Sequence, residues 1–260
     1  MKQPAFLCLL FVLLSCKTAE PSWKRGSAQE SGRLHYWPEP GIEQTASEKS
    51  KEMVLFSEWL AASLFPGYDI GYVRVVFYRD HRSYAPFRPA SIDSLAHFHT
   101  RTGIVHLPVN IAAEGWKHEM VHAVLYARFK DYPFWIQEGA ALLLQSAKGG
   151  HPLCEATLHL PHGLHRFRSV LLEHRYALPI TKDAELLRKG IYEETALAGY
   201  LAYFLWQRRM FIHTIREVAD SEQDSFLVLL GGDYERLRNF EKDFYEWLSS
   251  PLAIRPSGGC

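Results

Sequence analysis

The chain has 260 residues, 47% of them hydrophobic and 22% charged, with a formal net charge of +0. That length suits one domain of ordinary size, or one domain with tails, and that composition supports a core and excludes global disorder. Zero net charge and the lack of any long basic block exclude a general pull toward nucleic acid or acidic lipid.

Lys2 followed by the apolar run Ala5 to Leu14 has the form of a secretory signal, too short to span a bilayer. Leu13-Leu14-Ser15-Cys16 comes next and resembles a bacterial lipobox. The resemblance implies cleavage before Cys16 and acylation of its thiol, which would hold the chain to a membrane surface. Leu14 is a less usual residue at its place, and the alternative is a plain signal with an incidental cysteine. Either way the mature chain is expected to be extracytoplasmic. Lys17 stands where an aspartate retains many lipoproteins at the inner membrane, so the outer membrane or cell surface is the expected location. Cys8 falls in the signal, leaving Cys154 and Cys260 as the only other cysteines, the latter closing a Gly-Gly tail. No disulfide scaffold is expected, and at most one bridge.

Lys17 to Gly41 is rich in Ser, Glu, Lys, Gly and Pro and lacks apolar periodicity. The expected boundaries are a signal over 1–15, a lipidated flexible tether over 16–41, a folded domain over 42–250 and a tail over 251–260. Within the domain, Met53, Phe56, Leu60 and Leu64 share one stripe of a helix that Pro66-Gly67 ends. Tyr72 to Tyr78 alternates, with Val73, Val75 and Phe77 on one face of a strand. Residues 95 to 107 read as a hairpin, and Pro108, which cannot donate to a ladder, favours a sheet edge for its second strand. Helices follow over Ala112 to Lys130, from Pro133 through WIQEGAALLLQ, around Leu197, Leu201, Phe204 and Leu205, and after a capping Asp233. Strands first and helices after make an α+β domain, with a small mixed sheet and a mostly helical C-terminal half.

The chemistry concentrates in HEMVH, His118 to His122. Histidines four apart on a helix lie on one face, one turn apart. Two imidazoles so placed can reach one Zn2+ at about 2.0–2.1 Å. Glu119, beside the first, is angled toward the open side of such an ion, where it could take a proton from its water. A third, anionic ligand is needed, and Glu138 in WIQEGA is the candidate. It follows a short break that could fold the second helix back over the first. Gly139, Ala140 and Ala141 would let those two helices approach closely.

HEMVH followed by PFWIQEGAALL resembles the gluzincin metallopeptidases, and within them bacterial peptidase-MA-like lipoproteins. The match is sharp only over 116–143, although its looser extent is roughly Tyr72 to Trp247. The resemblance implies a zincin-like fold, with an edge strand above the His-Glu-x-x-His helix. It implies His118, His122 and Glu138 as zinc ligands, Glu119 as general base, and a peptide or protein substrate. Ile191 to Leu197, leading into GYLAYFL, looks like the family's Tyr-led helix, which makes Tyr192 the candidate donor to an oxyanion. Tyr200 and Tyr203 are alternatives on the same helix, and a tyrosine that merely begins a helix is the plainer reading. His106, on GIVHLPVN, would lie along the substrate groove and is a candidate substrate-binding residue, against the plainer reading of a sheet-face histidine.

Departures from the family pattern are specific. Only fifteen residues separate His122 from Glu138, and Leu142 stands where a carboxylate one turn after Glu138 would orient a ligand histidine. No Gly-x-Met-Glu-Asn segment precedes the helix, so an endopeptidase is expected rather than an aminopeptidase. A zincin-like lipoprotein that binds zinc and peptide or cell-envelope material without cutting is the alternative function. His151, His159, His162, His165 and His174 could be drawn as a second metal site, but Pro161 and Gly163 make that stretch a loop at no helical spacing.

Overall fold

The computed structural model describes residues 21–88, 95–145, 184–223 and 225–250. The signal, Cys16, Cys154, Cys260, the 251–260 tail and the five loop histidines lie outside them.

The described chain is α+β, a five-stranded mixed sheet with eight helices. Its strands are β1 (Gln29–Ser31), β2 (Leu34–Pro38), β3 (Val73–Tyr78), β4 (His97–His99) and β5 (Ile104–Pro108), in the spatial order β1-β2-β3-β5-β4. β1 and β2 are antiparallel, β2, β3 and β5 run parallel, and β4 returns antiparallel to β5.

Two expectations are corrected here. The stretch assigned to a tether carries β1 and β2, so the folded unit begins before Ile42. Leu34 and Tyr36 are buried, and β2 pairs with β3 from Leu34 opposite Val73 to Pro38 opposite Phe77. Gly32 makes the intervening turn possible, at φ +52, which a residue without Cβ adopts freely. The second correction concerns Pro108. β5 is interior, and β4 is the edge strand beside it. Proline is tolerated because Pro108 is the last residue of β5, and the next amide, Val109 N–H, donates to Tyr78 O at 2.8 Å.

Helix α1 (Glu43–Leu64) buries Met53, Phe56, Leu60 and Leu64, the stripe read from the sequence, and packs on β1, β2 and the histidine helix. Arg216 closes its C-terminus by donating to the carbonyls of Ser63 at 2.9 Å and Leu64 at 2.6 Å. A cation there also complements the negative end of the helix dipole. The one-turn α2 (His81–Tyr84) begins at Asp80, whose side chain accepts from the amides of Arg82 and Ser83. The histidine helix is α3 (Ala113–Arg128), followed by α4 (Phe134–Leu144), α5 (Ala184–Gln207), α6 (Phe211–Ser221), α7 (Ser225–Leu230) and α8 (Tyr234–Leu248). Asp233 caps α8 by accepting from Glu235 N–H at 2.7 Å and Arg236 N–H at 3.3 Å.

The sheet has two differently covered faces. Val75, Phe77, Val105 and Leu107 join Met120, Val121 and Val124 of α3 in the main core. Val76, Tyr78 and Ile104 face the other way, toward Tyr84 of α2, Trp23, Trp37 and Phe87. Among the described residues, no helix is long and apolar enough to cross a membrane.

Candidate metal centre

Helix α3 forms because its apolar residues recur at helical spacing. Trp116, Met120, Val121, Val124 and Leu125 are buried, which fixes the rotation of the helix about its axis. That rotation presents His118 and His122 on the side away from the sheet core, toward α4. After Arg128 the chain turns extended at Phe129, and α4 starts after Pro133. Two buried aromatic anchors set the return. Tyr132 Oη donates to Ile215 O at 3.0 Å, and Trp135 Nε1 donates to Ser225 Oγ at 2.9 Å.

The fold brings His118, His122 and Glu138 together. Their ligand atoms all lie within 4.8 Å of one another. The two Nε2 atoms are 3.1 Å apart, His118 Nε2 is 3.6 Å from Glu138 Oε2, and His122 Nε2 is 3.5 Å from Glu138 Oε1. Ligands at 2.0–2.1 Å on the corners of a tetrahedron sit about 3.3–3.4 Å apart. The Nε2–Nε2 separation is close to that edge, and Glu138 approaches the two imidazoles through different oxygens, Oε2 toward His118 and Oε1 toward His122. Two imidazoles and one carboxylate are a donor set of the chemistry that zinc takes. The side chains are mostly buried, with exposures of 20% for His118, 9% for His122 and 14% for Glu138.

The electrostatics of the cluster are coupled. Burial pulls His118 down, but the Glu138 and Glu119 carboxylates and the Gln145 oxygen outweigh it and raise the imidazole to about 9. Burial drives His122 down to about 4, against the pull of Glu138 and with the push of His118. Burial would raise Glu138, yet the two imidazoles hold it below the ordinary carboxylate range.

Glu119 sits beside the trio. Burial raises its carboxyl to about 7, with the His118 charge opposing, the Glu138 charge adding to the rise and a hydrogen bond from Phe98 N–H opposing. Phe98 belongs to β4, and its ring centroid lies 6.4 Å from that of His122. The strand beside the site is thus β4, an edge strand among the described residues.

His106 is not brought to the site. It is 4% exposed and points to the opposite face of the sheet, where its Nδ1 is 2.9 Å from Tyr78 Oη and its ring stacks on His97. The expected groove position followed from taking β5 as an edge strand, and it falls with that assignment. Tyr192 lies on the backbone of α5, well inside the helix rather than at its start, and its side chain lies outside the described residues. Gly139 does not serve the approach of α4 to α3. A Cβ there would meet Ala198 O at 2.6 Å and Ala202 Cβ at 2.7 Å, so the glycine admits α5.

One residue at the site was missed. Gln145 Oε1 is 3.0 Å from His118 Nδ1. The signal was available: positions 138, 142 and 145 share one helix face at i, i+4 and i+7. No family model matches the chain, and no curated protein matches it.

Proposed function

We propose that the chain is a zinc-dependent metallopeptidase of gluzincin type, cutting peptide bonds inside a chain rather than at its amino terminus. The observation that carries this is the convergence of His118 Nε2, His122 Nε2 and Glu138 at separations of 3.1, 3.5 and 3.6 Å, with Glu119 alongside. His118, His122 and Glu138 would hold the ion. Zinc at such a site supplies a Lewis acid and a water acidic enough to ionise near neutral pH. Glu119 accepts the proton of the attacking water at a carboxylate oxygen and delivers it to the leaving amine. Tyr192 is proposed to donate its hydroxyl to the developing oxyanion. An extended substrate would lie along β4, the edge that borders Glu119 and His122. Acylated Cys16 would tether the domain to the outer face of a bacterial membrane.

The test is turnover of a peptide library by the zinc-loaded protein and by Glu119→Gln. The proposal expects cleavage by the wild type, loss in the variant and equal zinc in both. Zinc bound by both with no cleavage by either would favour the non-catalytic reading, a lipoprotein that binds peptide or cell-envelope material at the same site.

A further inference from the structure

A histidine that ligates a metal has two ring nitrogens, and something must decide which one faces the ion. A partner on the other nitrogen does this, and it also sets how basic the ligand is. At His118 the side one turn past Glu138 offers only Leu142, an apolar residue. One further turn along the same face stands Gln145, at the C-terminus of α4. Its backbone N–H is tied to Ala141 O at 3.0 Å, which anchors the base of the side chain. Its Oε1 meets His118 Nδ1 at 3.0 Å, a full hydrogen bond.

The geometry points to Gln145 as the positioning residue of His118, accepting from Nδ1–H so that Nε2 is presented to the metal. This rests on the zinc reading above. The amide oxygen is the only group of the glutamine suited to the role, because an imidazole whose Nε2 ligates a metal carries its proton on Nδ1 and needs an acceptor there. A neutral amide polarises the imidazole less than a carboxylate does. It orients the ligand while withholding part of the electron donation that a carboxylate partner gives.

The experiment is zinc affinity, measured by competition with a chromophoric chelator, for the full chain and for Gln145→Ala, Gln145→Met and Gln145→Glu. Gln145→Met keeps the volume and helix propensity and removes the acceptor, which covers the case in which alanine loosens the helix end. Zinc is expected to bind about 10–100-fold more weakly to Gln145→Ala and Gln145→Met. Gln145→Glu should restore wild-type affinity or exceed it. With histidine nitrogens labelled, the zinc-loaded wild type should show a slowly exchanging Nδ1–H on His118, and Gln145→Met should lose it. Wild-type affinity in both acceptor-free variants, or an unchanged Nδ1–H, overturns the role of Gln145. Failure of the wild type itself to bind zinc overturns the zinc reading instead, and is read before any variant is made.

Discussion

Among the described residues, two histidine pairs have ring centroids 4.8 Å apart, and their surroundings differ. His97 and His106, on the reverse face of the sheet, stack at an interplanar angle of 3°. Their Nδ1 atoms are engaged by Tyr84 and Tyr78 at 2.7 and 2.9 Å. Burial, with the charges of neighbouring histidines and, for His106, Lys24, pushes them down to about 4 and about 2, so both are neutral core residues. His118 and His122 meet edge to face at 75°, bring their Nε2 atoms to 3.1 Å, and share the Glu138 carboxylate. Separation alone does not distinguish the two pairs; the angle between the rings and the neighbouring Glu138 carboxylate do.

The largest effect should come from breaking the ligand pair. His122→Ala removes one of the three proposed ligands, and dialysed protein should retain no zinc above background. His106→Ala should retain it in full, as read by metal analysis of the same preparations. Next, Glu119→Gln should lower peptide turnover about 10²–10⁴-fold, the range of a lost general base, with zinc content unchanged. The packed pair should answer in stability instead. His106→Ala opens a cavity in the second core, and urea unfolding should record a loss of about 2–4 kcal/mol.

The packed pair should also make the fold acid-sensitive. Both imidazoles have folded pKa values below the unfolded value, so the unfolded chain takes up protons first. Stability is therefore full above about pH 6.5 and falls as the pH drops toward the folded values of about 4 and about 2. Urea midpoints measured in chelator from pH 7 to pH 4.5 should decline, and His106→Leu should flatten the decline. An equal slope in that variant would assign the acid sensitivity elsewhere. A smaller effect tests the frame that holds the ligand helix. Gly139→Ala drives a methyl into the carbonyl of Ala198 and should cost about 1–3 kcal/mol in thermal or urea unfolding.

The clustering of His118, His122 and Glu138 was more legible in the sequence than the sheet, for a physical reason. His118, Glu119 and His122 are placed by one helix, and helical spacing is a local property that can be counted along the chain. Glu138 needed one reversal, which Pro133 and the buried Trp135 mark. Strands β1 and β2 have three and five residues, too few alternations to register as a pattern. Their stability comes from pairing Leu34 with Val73, a contact between distant parts of the chain that no window contains. The same limit misplaced the sheet edge. Pro108 excludes a ladder donor at one position, not along a strand, and β4 is only three residues long. His106 was misplaced as a consequence. Gln145 was readable in principle at two turns from Glu138, but a search for a carboxylate passes over an amide.

The central claim is that His118, His122 and Glu138 form one zinc site, and zinc stoichiometry after dialysis tests it most directly. Wild type and His106→Ala should each hold one zinc per chain, and Glu138→Ala should hold none above background. Zinc absent from the wild type, or present at one per chain in Glu138→Ala, would contradict the account.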